Sequence, residues 1–349
     1  MSNELWIMIG FVAFIFLMMA IDMGLFGKSE HAVSLKQAGI TSAVWVGMAI
    51  GFYFLVLNFG DRIHGVDNMA RLQQINADHF HKLKLPDSFD AALLLYKKNL
   101  ALEFITGYTI EYALSVDNIF VMVLIFSAFG VESKYYHKVL IWGIIGALIM
   151  RFLFIFVGAA LINNFHWILY VFGVFLIYTG VTMFINRNKE DKVDPQNHPV
   201  VKFASRYFSV HPRFEGGKFF IKIDKKKLIT PLFLVLLIIE ATDLVFAIDS
   251  IPAIFSVTKD PYIVFFSNIF AIMGLRSMFF LLVNVIDKFH YLKTGLAVLL
   301  AFIGVKMLVG EYAEHIGLTT MRSLIIILAI LVVSVVASLV FPKKKVGRA

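Results

Sequence analysis

Nine apolar runs, each roughly 20 residues or longer, constrain this chain more than any other feature. They fall at about 5–26, 40–59, 102–128, 138–161, 165–186, 230–256, 261–286, 291–310 and 322–341. Backbone N–H and C=O groups in hydrocarbon must be satisfied within the protein, which leaves helices or closed barrels. Barrel strands would alternate apolar and polar residues, whereas these runs are continuous. The reading is an all-α polytopic membrane protein with about nine transmembrane helices. Composition agrees: 59% of the 349 residues are hydrophobic and 16% are charged, too much apolar surface for a soluble core to hide. The 36 phenylalanines are expected on lipid-facing helix surfaces. The leader Met1–Trp6 has no basic residue and no clean small-residue cleavage site follows it. The first run is therefore read as a span, not a cleaved signal.

Nine crossings put the termini on opposite sides. With the N-terminus outside, 21 Lys and Arg lie on the inner side and 8 on the outer, so the positive-inside rule favours N-out, C-in. Eleven of the 21 lie in the 187–229 loop. The net charge of +8 follows this asymmetry and does not call for a nucleic acid; the partner expected here is membrane lipid. The chain divides into two spans and an outer polar loop (1–101), three spans (102–186), a basic loop (187–229), three spans (230–310), and a last span with a basic tail (311–349). The 60–100 segment carries Asp61, Asp67, Asp78, Asp87 and Asp90 with His64, His79 and His81. It is expected to be a solvated loop or interfacial helix; metal binding by its histidines is the alternative. In the basic loop, Lys218 to Leu228 reads as a short hairpin around Asp224. That loop is a plausible docking element for secretion or membrane-protein partners.

Two spans carry nearly the same acidic phrase, Glu111 to Ile119 and Asp243 to Ile251, at an offset of 132. Each sets a carboxylate, five spacers, a second carboxylate, and then Asn118 or Ser250. The third spans also match: Phe165-His166-Trp167 and Gly180-Val181-Thr182-Met183 repeat as Phe289-His290-Tyr291 and Gly304-Val305-Lys306-Met307, at an offset of 124. The difference of eight is expected as a longer loop in the first copy, around Phe129 to His137. Three spans per copy is an odd number, so the second copy enters from the other side. The expectation is two inverted three-helix repeats with a site near the midplane, a common plan for secondary transporters.

A carboxylate in hydrocarbon costs several kcal/mol unless it is paired, protonated or ligating. Glu111, Ser115 and Asn118 lie on one helical stripe, as do Asp243, Ala247 and Ser250, with Glu240 one turn earlier. Asp117 and Asp249 point about 120° away, so the carboxylates of one straight helix do not converge. Either Pro252 opens its helix near Asp249 and frees the Ile248 carbonyl, or ligands come from both repeats. Asp22, near the inner end of the first span, is a further acid that would line an inner vestibule. There is no cysteine, so the donors are hard oxygens that suit Mg²⁺, Ca²⁺ or Mn²⁺. Arg151, Arg276 and Lys306 are expected as supporting ion pairs, and pure structural pairing is the competing explanation of the acids.

The segments Ser115 to Ile119, Glu240 to Phe255, Thr230 to Leu234, Lys259 to Val264 and Ser267 to Arg276 closely resemble the TerC/Alx family of bacterial membrane proteins. The resemblance covers nearly the whole chain. It implies a nine-span inner-membrane protein related to LysE-type exporters and associated with manganese efflux, historically with tellurium resistance. It also implies a core site of Asp117, Asn118, Asp249 and Ser250, with Glu111, Glu240 and Asp243 in support and Asp22 in an acidic first-span position. The functional expectation is Mn²⁺ export, with proton exchange as the coupling. The alternatives are an accessory protein that supplies metal to exported proteins, and an oxyanion exporter built on the arginines. No nucleotide-binding loop, nucleophile elbow or HExxH motif is present, so a transporter is expected rather than an enzyme, without a resident cofactor.

Overall fold

The computed structural model describes residues 3–26, 34–79, 81, 83–165, 167–187, 198–223, 226–283, 289, 291–310, 312 and 317–341. Among them are eleven helices. Nine are long and apolar enough to cross a membrane: α1 (Asn3–Phe26), α2 (Leu35–Phe59), α4 (Phe89–Ala128), α5 (Ser133–Asn164), α6 (Ile168–Asn186), α8 (Pro231–Phe255), α9 (Pro261–Leu282), α10 (Leu292–Val309) and α11 (Thr320–Val340). The short α3 (Met69–Asp78) and α7 (Pro199–Tyr207) lie in the polar insertions.

Start signals agree with local chemistry. Ser34 forms a capping box with Gln37 on α2, and Asn68 accepts from the Arg71 N–H on α3. Helices α7, α8 and α9 each open on a proline, whose missing N–H costs nothing in a first turn. Asp260 caps α9 by accepting from the N–H groups of Tyr262 and Ile263.

α9 is the central helix, with every residue from Ile263 to Phe280 buried. α4 and α2 pack on it, α5 and α8 pack together, and α6 packs along α10. α1, α2, α6 and α11 are the least buried spans and turn Leu, Phe and Val side chains outward. The phenylalanines divide between two environments. Phe14, Phe16 and Phe54 face outward, but Phe11, Phe52, Phe104, Phe266 and Phe270 form a tilted ring cluster around α9. Phenylalanine thus serves both lipid-facing surfaces and helix junctions, where tilted and edge-on ring packing fills the space.

Three expectations change. First, α4 begins at Phe89, not near 102, and has 40 residues. Asp90, Lys97, Lys98 and Asn99 break the apolar run, yet Ala92, Tyr96, Leu100 and Phe104 recur every four residues and are fully buried. Second, the first copy has no longer loop. Residues 129–132 join α4 to α5 where residues 256–260 join α8 to α9. The extra length lies in the helices: α5 has 32 residues and α9 has 22. Third, α8 runs unbroken through Pro252. The proline sits in the last turn, so it removes little of the helix beyond it. The hairpin does form, pairing Phe220–Ile223 with Lys226–Ile229; Asp224 at its turn lies outside the described residues.

α6 and α10 cross closely on small residues and run antiparallel. A Cβ on Gly180 would sit 2.7 Å from the Ala297 carbonyl oxygen, and one on Gly304 would sit 2.7 Å from that of Gly173. Gly180→Val is therefore expected to lower stability by about 1–3 kcal/mol, the usual range for overpacking. Thermal denaturation of detergent-solubilised protein measures this, and an unchanged midpoint would contradict the close crossing.

Candidate buried ion cluster

Four helices each send one polar side chain into the bundle interior. Arg151 of α5 is fully buried and donates through Nη1 to Glu111 of α4. Its Nη2 donates to Asp243 Oδ1 of α8 at 3.0 Å and its Nε to Oδ2 at 3.4 Å, a two-pronged guanidinium–carboxylate contact. Its Nη1 also reaches Asn268 Oδ1 of α9 at 3.1 Å. Two carboxylates against one guanidinium leave a formal charge of −1 if all three are ionised. Glu111 Oε2 and Asn268 Nδ2 have no hydrogen-bond partner within the described protein.

The remaining acidic-phrase residues fall where helical geometry sends them. Glu111, Ser115 and Asn118 are buried along one stripe of α4, and Asp243, Ala247 and Ser250 along one stripe of α8. The Ser115 and Ser250 hydroxyls have no hydrogen-bond partner there. Asp117 and Asp249 lie off the stripe and are only partly buried. Asp249 Oδ1 accepts from Thr179 of α6 at 3.2 Å. The Glu240 carboxylate lies against Gly146 of α5, where any Cβ would collide with it. With α8 continuous, the convergence of acids arises between helices and not at a broken one.

Of the three cations, Arg151 joins this cluster. Arg276 is buried on α9 and its Nη1 lies 3.4 Å from His137 Nδ1, at the start of α5. Lys306 stands in the last turn of α10. Asp22 belongs to α1, but its side chain lies outside those described. Asn268, a member of the cluster, and Thr179, the partner of Asp249, are residues that the acidic phrases did not indicate. A Ser267-Asn268 pair within a wholly buried span is the signal that would have found the first.

A second polar cluster lies at the N-terminal side of α4 and α9. His64 Nε2 is 2.8 Å from Asp260 Oδ2, His81 Nδ1 is 3.0 Å from Glu103 Oε1, and Thr258 donates to Glu103 Oε2 at 2.7 Å. The solvated character expected of 60–100 is corrected at these points, since the His64 and His81 side chains are buried. Burial works against ionised Asp260, but the imidazoles of His64, His79 and His81 outweigh it and hold the carboxyl below its ordinary range. Burial also works against protonation of His81, but Glu103 outweighs it and raises the imidazole.

Residues 96–346 match the model of the integral membrane protein TerC family. A Myxococcus xanthus protein called "Uncharacterized membrane protein STKORF319" is 44% identical over 339 residues, covering 97% of this chain and 93% of that one. The Escherichia coli (strain K12) "Putative membrane-bound redox modulator Alx" is 39% identical over 309 residues, covering 87% and 85%. A Rickettsia bellii "Uncharacterized membrane protein" is 39% identical over 336 residues, covering 96% and 97%. No solved structure matches the chain. Nine membrane-length helices, a family match across most of the sequence and relatives aligned nearly end to end identify the chain as a member of the integral membrane protein TerC family.

Proposed function

We propose that this protein is a secondary transporter that exports divalent manganese across the bacterial inner membrane, by exchange for protons at a midplane carboxylate site. The observation that carries this reading is the buried Arg151–Glu111–Asp243–Asn268 cluster, built from four helices of two helical triplets. A pairing whose only purpose was to neutralise charge would need one acid for one arginine. Here a second acid and two unpartnered polar atoms remain. In this reading Arg151 acts as a tethered counter-ion that holds Glu111 and Asp243 while the site is without cargo. Asp117, Asn118, Asp249 and Ser250 are proposed as the core oxygen ligands, with Glu111, Asp243 and Glu240 in support and Asp22 at the inner vestibule. Manganese among the hard cations is taken from the family resemblance, since spacing and donor type alone do not choose it.

The inverted-repeat plan belongs to the same proposal. Exchanging α4, α5, α6 with α8, α9, α10 leaves the main helix pairings unchanged. It also maps the contact of Gly173 with Gly304 onto that of Ala297 with Gly180, at the 124-residue offset of the sequence repeat. The orientation proposed is N-terminus outside and C-terminus cytoplasmic, from the distribution of Lys and Arg. The 349 residues contain no cysteine, so a redox role of the kind in the relatives' name would not run on thiols of these residues.

A second reading, an accessory protein that passes metal to a partner, is favoured by the basic loop. α7 and the hairpin expose Phe203, Tyr207, Phe208 and Phe220 beside their basic residues. Reconstitution separates the two. Purified protein in vesicles is expected to move Mn²⁺ unaided, and faster under an imposed pH gradient of opposite direction. No Mn²⁺ movement by folded protein would overturn the transporter reading.

A further inference from the structure

We propose that His64, His79 and Asp260 form a binding site for a borderline divalent transition-metal ion of the Zn²⁺ or Co²⁺ class, separate from the buried carboxylate cluster. One ligand atom from each residue can be chosen so that all three lie within 4.8 Å of one another. The three come from different parts of the chain: the turn after α2, the end of α3 and the cap of α9. The site therefore forms only when the 60–83 segment is seated on the helices.

Unused nitrogens distinguish this cluster from a simple hydrogen-bonded patch. His64 Nδ1, His79 Nδ1 and His81 Nε2 are all buried without a hydrogen-bond partner in the described protein. The His64 side chain is fully buried, and so is that of Asp260. His64 Nδ1 faces Glu4 Oε1 at 3.9 Å, beyond hydrogen-bond distance, so all three neighbouring imidazoles keep a buried nitrogen without a hydrogen bond, whereas buried polar atoms are normally satisfied. The rings are close: His64 and His79 have centroids 4.8 Å apart, and His79 and His81 6.0 Å. His81, beside His79, is held at Nδ1 by Glu103, which fixes the orientation of its ring next to the three ligands. Glu103 is itself held by Asn99 and Thr258.

Donor chemistry sets the class. Two imidazole nitrogens with one carboxylate oxygen suit Zn²⁺, Co²⁺ or Ni²⁺, whereas Mg²⁺ and Ca²⁺ favour oxygen-only sets. The cargo proposed above rests on oxygen donors within the spans, so the two sites should separate by metal and by mutation.

Cobalt is the probe. Full-length protein in detergent, stripped with a chelator, is titrated with Co²⁺ and followed by its visible ligand-field bands. The expected result is about one equivalent with bands of a low-coordinate nitrogen–oxygen site, displaced by Zn²⁺. His64→Ala and His79→Gln should abolish the bands, whereas Asp249→Asn should leave them intact. His79 is only partly buried, so His79→Gln keeps the test open should His64→Ala fail to fold. Absence of the bands in wild-type protein, or their survival in folded His79→Gln, overturns the proposal. Co²⁺ binding does not depend on transport, so failure of Mn²⁺ movement in vesicles would leave this result unaffected.

Discussion

Asp117→Asn and Asp249→Asn are each expected to reduce Mn²⁺ efflux to the level of membranes lacking the protein, while the protein stays in the membrane at normal abundance. Asparagine keeps the shape of aspartate and one oxygen, so the Thr179 hydroxyl can still donate at position 249. It removes the negative charge, and a divalent ion leaving water for a low-dielectric site depends on anionic ligands to replace its hydration. Both carboxylates lie off the stripe clamped by Arg151, so their loss should spare the fold. Efflux assays in cells, with membrane abundance measured in parallel, give the answer. Wild-type efflux from both variants would sink the assignment of these residues as ligands.

The opposite balance of effects is expected for Arg151→Gln, which should cost stability first. It leaves Glu111 and Asp243 buried without their guanidinium, and losing one partner of a buried ion pair typically costs about 3–5 kcal/mol. Membrane abundance and thermal stability should both fall. Arg151→Lys should not rescue, because one ammonium cannot reproduce a fork that reaches Glu111, Asp243 and Asn268 together. Neutralising the acids as well, with Glu111→Gln and Asp243→Asn, should restore most of the stability and none of the transport. A fully stable Arg151→Gln protein would show that the cluster does not hold the helices together.

The spans were legible because hydrocarbon demands long apolar helices, and eight of the nine begin within a few residues of the apolar run. α4 was misjudged because its first turns leave the apolar regime while keeping their four-residue periodicity at Ala92, Tyr96, Leu100 and Phe104. The stripe of Glu111, Ser115 and Asn118 was readable from helical geometry alone. The partner of Glu111 and Asp243 was not, because the choice between Arg151 and Arg276 depends on how helices rotate about their axes. Pro252 misled because a proline in the last turn of a helix has little helix left to break. The three histidines are readable together in the 60–100 segment, but Asp260 is not: it lies 196 residues from His64, and only folding makes them neighbours.

α4 and α9 each carry one residue of both polar clusters at the same interval. Glu103 and Glu111 are eight residues apart on α4, and Asp260, the cap of α9, is eight residues before Asn268 within it, about 12 Å of helix rise in each case. The two helices thus form a pair of parallel rails with two rungs. Between the rungs they nearly touch, where a Cβ on Gly107 would lie 2.8 Å from the Ser267 hydroxyl. The two clusters therefore stand in one register, so a slide of α4 along α9 would misalign both at once.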